Sequence, residues 1–251
     1  MEILGSGLLA RSLRRYAAEA PDALVFAQGV ADSSTTAREA YAREIALLDA
    51  ALDRARVGGR RLVYFSAAGA IYGHESGPRD EATPLRPLTA YARHNVAAER
   101  RIVSSGARHL IVRLANIVGS PQNPAQLVPA LVRQAATGRA VLQRRASRDI
   151  IDADDAARLV TALLRADGDH DIVVVARGAS VEVPMLFADI AGILGVRPRI
   201  DLTDAGEPQR FDIARLLDRL GTSSDGLGLA PLEAVLARHV PALAAAAERP
   251  R

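Results

Sequence analysis

Tyr91 and Asn95 stand four residues apart in TAYARHNVAAERRI, a stretch whose apolar residues recur at helical spacing, so their side chains share one helix face. A phenol placed there can give a proton to an oxygen, but it can take one only after ionising, which an unperturbed tyrosine does near pH 10. Asn95 can hydrogen-bond a hydroxyl yet brings no positive charge to lower that value, and the chain contains no lysine. The neighbouring His94 points elsewhere on the helix. In ILGSGLLAR, Gly5 and Gly7 lead from a strand pattern into a helix pattern. Glycines there let the backbone turn tightly and approach a pyrophosphate. Ala10 fills the third position of G-x-G-x-x-G and still allows close helix packing; an ordinary strand-to-helix turn would look the same. Arg148, in RRASRDIIDADD, either meets an anionic ligand or pairs with Asp152, Asp154 or Asp155, and the pairing is the preferred reading. His74, His94 and His109 lack metal-ligand spacing, so no metal site is expected.

These residues need elements to hold them. MEIL, ALVFAQ, RLVYFS, HLIVRL and DIVVVA are short apolar runs of the kind buried on both faces of a parallel sheet. Residues 8–20, 36–56, 89–105 and 123–137 have helical spacing between them. The alternation predicts a doubly wound α/β fold with a parallel sheet and right-handed crossovers. Helices are expected over 154–165, 182–194, 211–220 and from Leu229, with a loop at GTSSDGLGLAP and a frayed ERPR terminus. One Rossmann-like domain over 1–251 is expected, in which roughly 120–145 and 178–251 form a small helical substrate lobe. The dinucleotide half is abbreviated: the first helix leads almost at once to ALVFAQ, so two strands and the acidic residue that would meet an adenine ribose are missing. With Arg11, Arg14 and Arg15 close to the glycines, a 2′-phosphate is better tolerated than in an NAD-specific site, unless those arginines only form a solvated face.

A hydrophobic share of 49% gives ample core. The absence of cysteine excludes disulfides and thiolate metal sites and fits a reducing compartment, so a cytoplasmic location is expected. The N-terminus lacks a basic segment followed by an apolar signal core, and no apolar run approaches the roughly 18–20 residues of a membrane span. The net charge is +3, but the arginines are scattered and aromatic residues make up only 4%, which argues against nucleic-acid binding. The expected partner is a small-molecule substrate, with neither nucleic acid nor membrane; the oligomeric state stays open.

FAQGV, RLVYFSAAGAIYG, TPLRPLTAYARHN, VRLANIVGSPQNP and RDIIDADD follow one another in the order of the extended short-chain dehydrogenase/reductases. The first 165 or so residues resemble that family of sugar-nucleotide epimerases, dehydratases and ketoreductases. The resemblance implies a nicotinamide dinucleotide held by Gly5, Ser6, Gly7, Leu8, Leu9 and Arg11 at its phosphates and by Ala27, Gln28 and Gly29 on its adenosine side. Ser66, Tyr91, Asn95, Leu114, Asn116 and Ile117 would surround the nicotinamide, with Tyr91 as proton donor. Ala67, Ala68, Gly69, Tyr72, Asn116, Gln126 and Arg148 would meet the substrate. Ala68 stands where the family has a catalytic serine or threonine, Asn95 where it has the lysine, and Glu44 where it often has an asparagine.

Without the lysine, Tyr91 stays protonated at neutral pH and would supply a phenolate base only about one part in a thousand of the time. Carbonyl reduction, which needs a proton donor, is therefore favoured over reactions that begin by oxidising an alcohol. A serine's hydrogen bond to the reacting oxygen is worth on the order of 10²–10³ in rate, so something must replace it or the enzyme is slow; one candidate is a substrate phenol beside the ketone, which would supply the first proton. In these departures the chain is similar to atypical polyketide ketoreductases that act on angucyclinone-like ketones; the cofactor favoured by the missing acidic residue and the nearby arginines is NADP(H) over NAD(H). Sugar-nucleotide chemistry is the alternative, and a non-catalytic dinucleotide-binding protein would show the same losses.

Overall fold

The computed structural model describes residues 1–30, 37–74, 77–166 and 168–247. Its centre is a five-stranded parallel sheet of β1 (Glu2–Leu4), β2 (Ala23–Phe26), β3 (Arg61–Ala67), β5 (His109–Leu114) and β9 (His170–Val175), in that spatial order. The short β4 (Pro78–Arg79) lies outside it and pairs with β12 (Arg210–Phe211). Strand residues alternate between two buried faces. Val25, Val63, Leu110 and Val112 enter one core with α1 (Leu8–Arg14) and α6 (Ala153–Arg165). Leu24, Phe26, Leu62, Tyr64 and Ile111 enter another with α2 (Arg38–Val57) and α4 (Ala90–Ser104). Each such side chain contributes about 1.5–3 kcal/mol when fully buried.

Among the described residues β1 pairs only with β2, so it is an edge strand, as the missing pair of strands implies. This changes the crossovers. Every connection steps the same way across the sheet, yet α1 and α6 lie on one face and α2 and α4 on the other. Connections of one hand, all stepping one way, would put every helix on a single face, so the uniform right-handedness expected from the alternation does not hold. With no outer strand to receive it, the chain leaving α1 turns back to β2.

The remaining elements make the lobe. β6 (Asn116–Val118), β8 (Ser147–Asp152) and β10 (Ser180–Glu182) form a three-stranded sheet, and β7 (Arg139–Gln143) pairs with β11 (Arg199–Thr203). α5 (Leu127–Ala136), α7 (Val183–Leu194) and α9 (Leu232–Ala247) enclose a separate core that includes Val128, Leu186, Phe187, Leu236 and Val240. The lobe is thus mixed α/β and not helical alone: β7 alternates exposed and buried residues, burying Ala140 and Leu142, which a scan for long apolar runs overlooks. α3 (Ala68–Ile71) and α8 (Ala214–Leu220) complete the chain. α1 ends at Arg14 and a 3₁₀ turn follows at Ala17–Glu19, dividing the single helix expected over 8–20. The helix start expected at Thr36 and the expected fraying of ERPR lie outside the described residues. Among the described residues no helix is long and apolar enough to cross a membrane.

Candidate active site

β1, β2, β3 and β5 run parallel and end on one side of the sheet, the side where ligands of open parallel sheets bind. At the first end, Gly5 has φ +124°, and a Cβ there would lie 2.2 Å from the Ala27 carbonyl oxygen. No other residue fits without moving β2. A Cβ at Gly7 would meet nothing within 4 Å, so the backbone there is uncovered. Arg11 donates to the Ser6 carbonyl at 3.1 Å and Arg14 to the Gly5 carbonyl at 2.9 Å, which places two exposed guanidinium groups on the turn. Arg15 instead pairs with Asp154 at 2.6 Å. Leu8 packs against Gly119, Leu9 enters the core beside α6, and Ala10 is fully buried.

At the second end, Ala27 donates its N–H to the Leu4 carbonyl at 2.8 Å, and Gln28 and Gly29 follow. Beneath them lies Glu44 of α2, whose carboxylate accepts from the Val30 N–H at 2.6 Å and from the Tyr64 hydroxyl at 3.4 Å, and meets His94 at 3.1 Å. His94 in turn stacks on Tyr41 with ring centroids 4.6 Å apart. Burial raises the Glu44 pKa, but the His94 contact and the Val30 N–H outweigh it and hold the carboxyl below its usual range.

α4 carries the proton chemistry. Thr89 caps it by accepting from the Ala92 N–H at 3.1 Å, an interaction worth about 1 kcal/mol that fixes where the helix starts. Tyr91, Asn95 and Glu99 then share one face. Burial pushes the Tyr91 phenol up to about 12; Asn95 opposes the rise, and the Glu44 carboxylate and Tyr41 add to it. The Asn95 amide nitrogen donates to the backbone carbonyl of Tyr91 at 2.9 Å. The residue at the lysine position thus spends a donor on its own helix.

One turn deeper, Glu99 and Arg113 form an ion pair at 2.8 Å with each side chain 4% exposed. Arg113 also donates to the Tyr72 hydroxyl at 3.2 Å and to the Glu81 carbonyl at 3.1 Å. Sequence reasoning missed this pair, although two signals were present: Glu99 continues the Tyr91–Asn95 face, and Arg113 is the one charge inside the apolar run LIVRL.

The expected substrate residues divide. Tyr72 is 1% exposed and lies in the core beneath Arg113, and Ala68 is equally buried, so neither offers a surface to a substrate. Ala67 is half-buried; Gly69 is exposed, and its carbonyl accepts from Gln209 at 2.7 Å. A flat floor of Ala67, Ala68 and Gly69 therefore reduces to Ala67 with Gly69 under Gln209. Asn116 donates to the Asp149 carbonyl at 3.2 Å, and Gln126 accepts from Gln122 at 2.7 Å. Leu114 is buried and Ile117 partly so, both against the sheet's first core. Arg148 does not pair with Asp152, Asp154 or Asp155. It donates to the carbonyls of Ser147 and Glu207 at 2.8 and 3.0 Å, because Asp152 is taken by Arg238, Asp154 by Arg15 and Asp155 by Arg158. A cleft of about 440 Å³ in the lobe, with Arg144, Arg145, Ser147, Ser180 and Arg210 on its wall, shares no residue with the strand ends.

Two features fit a dinucleotide at those ends. The backbone at Gly7 is uncovered, and the Ser66 hydroxyl, next to last in the central strand β3, is buried without a hydrogen-bond partner. The fold is that of a Rossmann-like α/β protein, with the candidate site at the strand ends.

The model of the NAD dependent epimerase/dehydratase family matches residues 6–176, and the chain belongs to that family. Its fold is similar to that of RMD from Pseudomonas aeruginosa, solved with NADPH, with TM-score 0.81 at 21% identity over 97% of this chain and 98% of that one. It is also similar to UDP-glucose 4-epimerase from Thermotoga maritima with UDP-glucose, with TM-score 0.76 at 20% identity over 97% and 84%. A third likeness is to UDP-glucose 4-epimerase from Thermus thermophilus with NAD, with TM-score 0.73 at 19% identity over 95% and 83%. At such identities the likeness establishes the fold alone. No curated protein matches the chain.

Proposed function

We propose that this protein is an NADPH-dependent ketoreductase whose substrate is a ketone of a polycyclic aromatic polyketide, of the angucyclinone type. The observation that carries this reading is the state of Tyr91: burial and the Glu44 carboxylate push its phenol up to about 12, and Asn95 brings no cation. Such a residue can donate a proton or a hydrogen bond and cannot act as a base at neutral pH. The bound nicotinamide would supply the hydride. Gly5, Ser6 and Gly7 would hold the pyrophosphate by their backbone, Ser66 would turn its unpartnered hydroxyl to the cofactor, and Tyr91 would orient the ketone oxygen. With Ala68 offering no hydroxyl, a phenol beside the ketone gives the first proton and Tyr91 assists. Two things support NADPH over NADH: the acidic ribose partner is missing from the shortened first crossover, and Arg11 and Arg14 sit on the glycine turn.

The second reading is reduction or epimerisation of a nucleotide sugar, favoured by the likeness to epimerases and by Arg148 at the lobe. Against it, Arg148 already serves two carbonyls of its own chain. A non-catalytic dinucleotide-binding protein is the third. NADPH oxidation measured with hydroxy-aryl ketones and quinones beside keto-sugar nucleotides separates them. Turnover with the aromatic ketones alone is expected. Turnover with the sugars alone would overturn the proposal in favour of the second reading, and binding of NADPH with no turnover would favour the third. In the active case Tyr91→Phe should lower kcat modestly, whereas near-complete loss would rule out substrate-assisted proton transfer.

A further inference from the structure

His239 of α9 lies between a carboxylate and a hydroxyl. Its Nε2 is 3.3 Å from Asp152 Oδ2 and its Nδ1 is 3.1 Å from Ser120 Oγ. Asp152 is 1% exposed and His239 9%, whereas Ser120 is half-buried. Ser120 is flanked by residues that meet the glycine turn: Arg11 donates both to the Ser6 carbonyl and to the carbonyl of Pro121, just after it. Gly119, just before it, lies so close to Leu8 that a Cβ would come within 2.7 Å of that side chain. The chain from Asp152 through His239 thus ends on a hydroxyl whose flanking residues, Gly119 and Pro121, meet the turn proposed above for the pyrophosphate.

We propose that Ser120 is a further binding residue for an anionic group at the glycine turn, with His239 as the positioning residue that sets which way its hydroxyl points. The inference rests on the dinucleotide reading above, with the pyrophosphate as the anion. The argument is one of hydrogen-bond polarity. When His239 is neutral with its proton on Nε2, facing Asp152, its Nδ1 can only accept, so the Ser120 O–H points at the ring and turns lone pairs outward. When Nδ1 takes a proton from solvent, the ring donates to Ser120 Oγ and the hydroxyl hydrogen is released to point at the anion. Asp152 supports the charged ring, and hydrogen bonds to charged groups are the stronger kind.

Of the other charged groups around His239, one shares its carboxylate and the rest are engaged elsewhere. Arg238, on the same helix, meets Asp152 at 3.1 Å. From α6, Asp154 is held by Arg15 at 2.6 Å and Asp155 by Arg158 at 3.1 Å. α5 and α7 meet α9 through the apolar side chains of the lobe core. The Asp152 carboxyl is held below its usual range: burial raises it, but the His239 contact and the Asp154 N–H prevail, so the partner carboxylate stays ionised through neutral pH.

Isothermal titration of the full chain with NADPH at pH 7.5, in buffers of different ionisation enthalpy, reads the protons taken up on binding. NADH is titrated alongside because the 2′-phosphate of NADPH has its own pKa of about 6. Net proton uptake is expected with both cofactors. Ser120→Ala, which removes one half-buried hydroxyl, should abolish that uptake and weaken binding about tenfold, with an unchanged melting temperature. His239→Gln, whose side-chain amide takes up no proton, should likewise abolish the uptake. Tight binding without proton uptake, or uptake that survives in Ser120→Ala, would overturn the inference while leaving the dinucleotide reading intact. Failure of both cofactors to bind would overturn the inference and the dinucleotide reading together.

Discussion

Helix α4 carries two buried acid clusters, and they are compensated differently. At the deeper end Glu99 meets Arg113 at 2.8 Å, a guanidinium that stays charged at every pH the fold survives. At the end nearer Tyr91, Glu44 meets His94 at 3.1 Å, a ring that is charged only when protonated. The permanent cation beneath this helix is thus committed to Glu99, and the carboxylate that acts on Tyr91 has a titratable partner. Both clusters keep a carboxylate out of water, but beside Tyr72 the Arg113 cation outweighs Glu99, whereas Glu44 pushes the Tyr91 phenol towards its neutral form. Losing a single lysine changes more than one contact, because it leaves Tyr91 with a negative neighbour and no positive one.

Breaking the deeper pair should have the largest effect. Arg113→Met leaves Glu99 buried without its cation, and the urea unfolding midpoint should fall by the equivalent of about 3–5 kcal/mol. Asn95→Lys sharpens the contrast from the other side. A cation within reach of the phenol should lower the Tyr91 pKa by about 1–3 pH units, so oxidation of the product alcohol at pH 8 should rise about tenfold or more while the forward rate changes less. Glu44→Gln should cost about 1–2 kcal/mol at neutral pH. Because the folded-state pKa of Glu44 is depressed, that stabilisation is present above the unfolded carboxyl value and is lost as pH falls through the folded one, so the variant and parent unfolding curves should converge once pH is below that depressed folded-state value.

Much of the frame was legible because it depends on local signals. The five sheet strands announce themselves as apolar runs buried on both faces, and Thr89 marks the start of α4 as a cap should. The loss of two strands was readable from the distance between the glycine turn and ALVFAQ. Its consequence for crossover hand was not, since that depends on which face each helix covers. The three-residue strands β6 and β10 carry too few residues to show a period. Site residues followed the same division. Tyr91, Asn95 and the glycines were visible as types at a spacing, whereas Glu44 beneath Gly29 and Asp152 beside His239 come together only through tertiary packing. The partners expected for Arg148 were wrong because nearness in sequence does not decide between competing arginines, and Arg15, Arg158 and Arg238 reach those acids instead.

The central claim is that this site holds Tyr91 as a neutral phenol. Labelling the tyrosines with ¹³C at Cζ and titrating the protein by NMR, with Tyr91→Phe to assign the signal, measures this directly. The Tyr91 resonance should keep its phenol shift to above pH 10 and move only near 12, if the fold lasts that far. A titration centred below about pH 8, the range that a catalytic base requires, would contradict the account and return the site to alcohol oxidation.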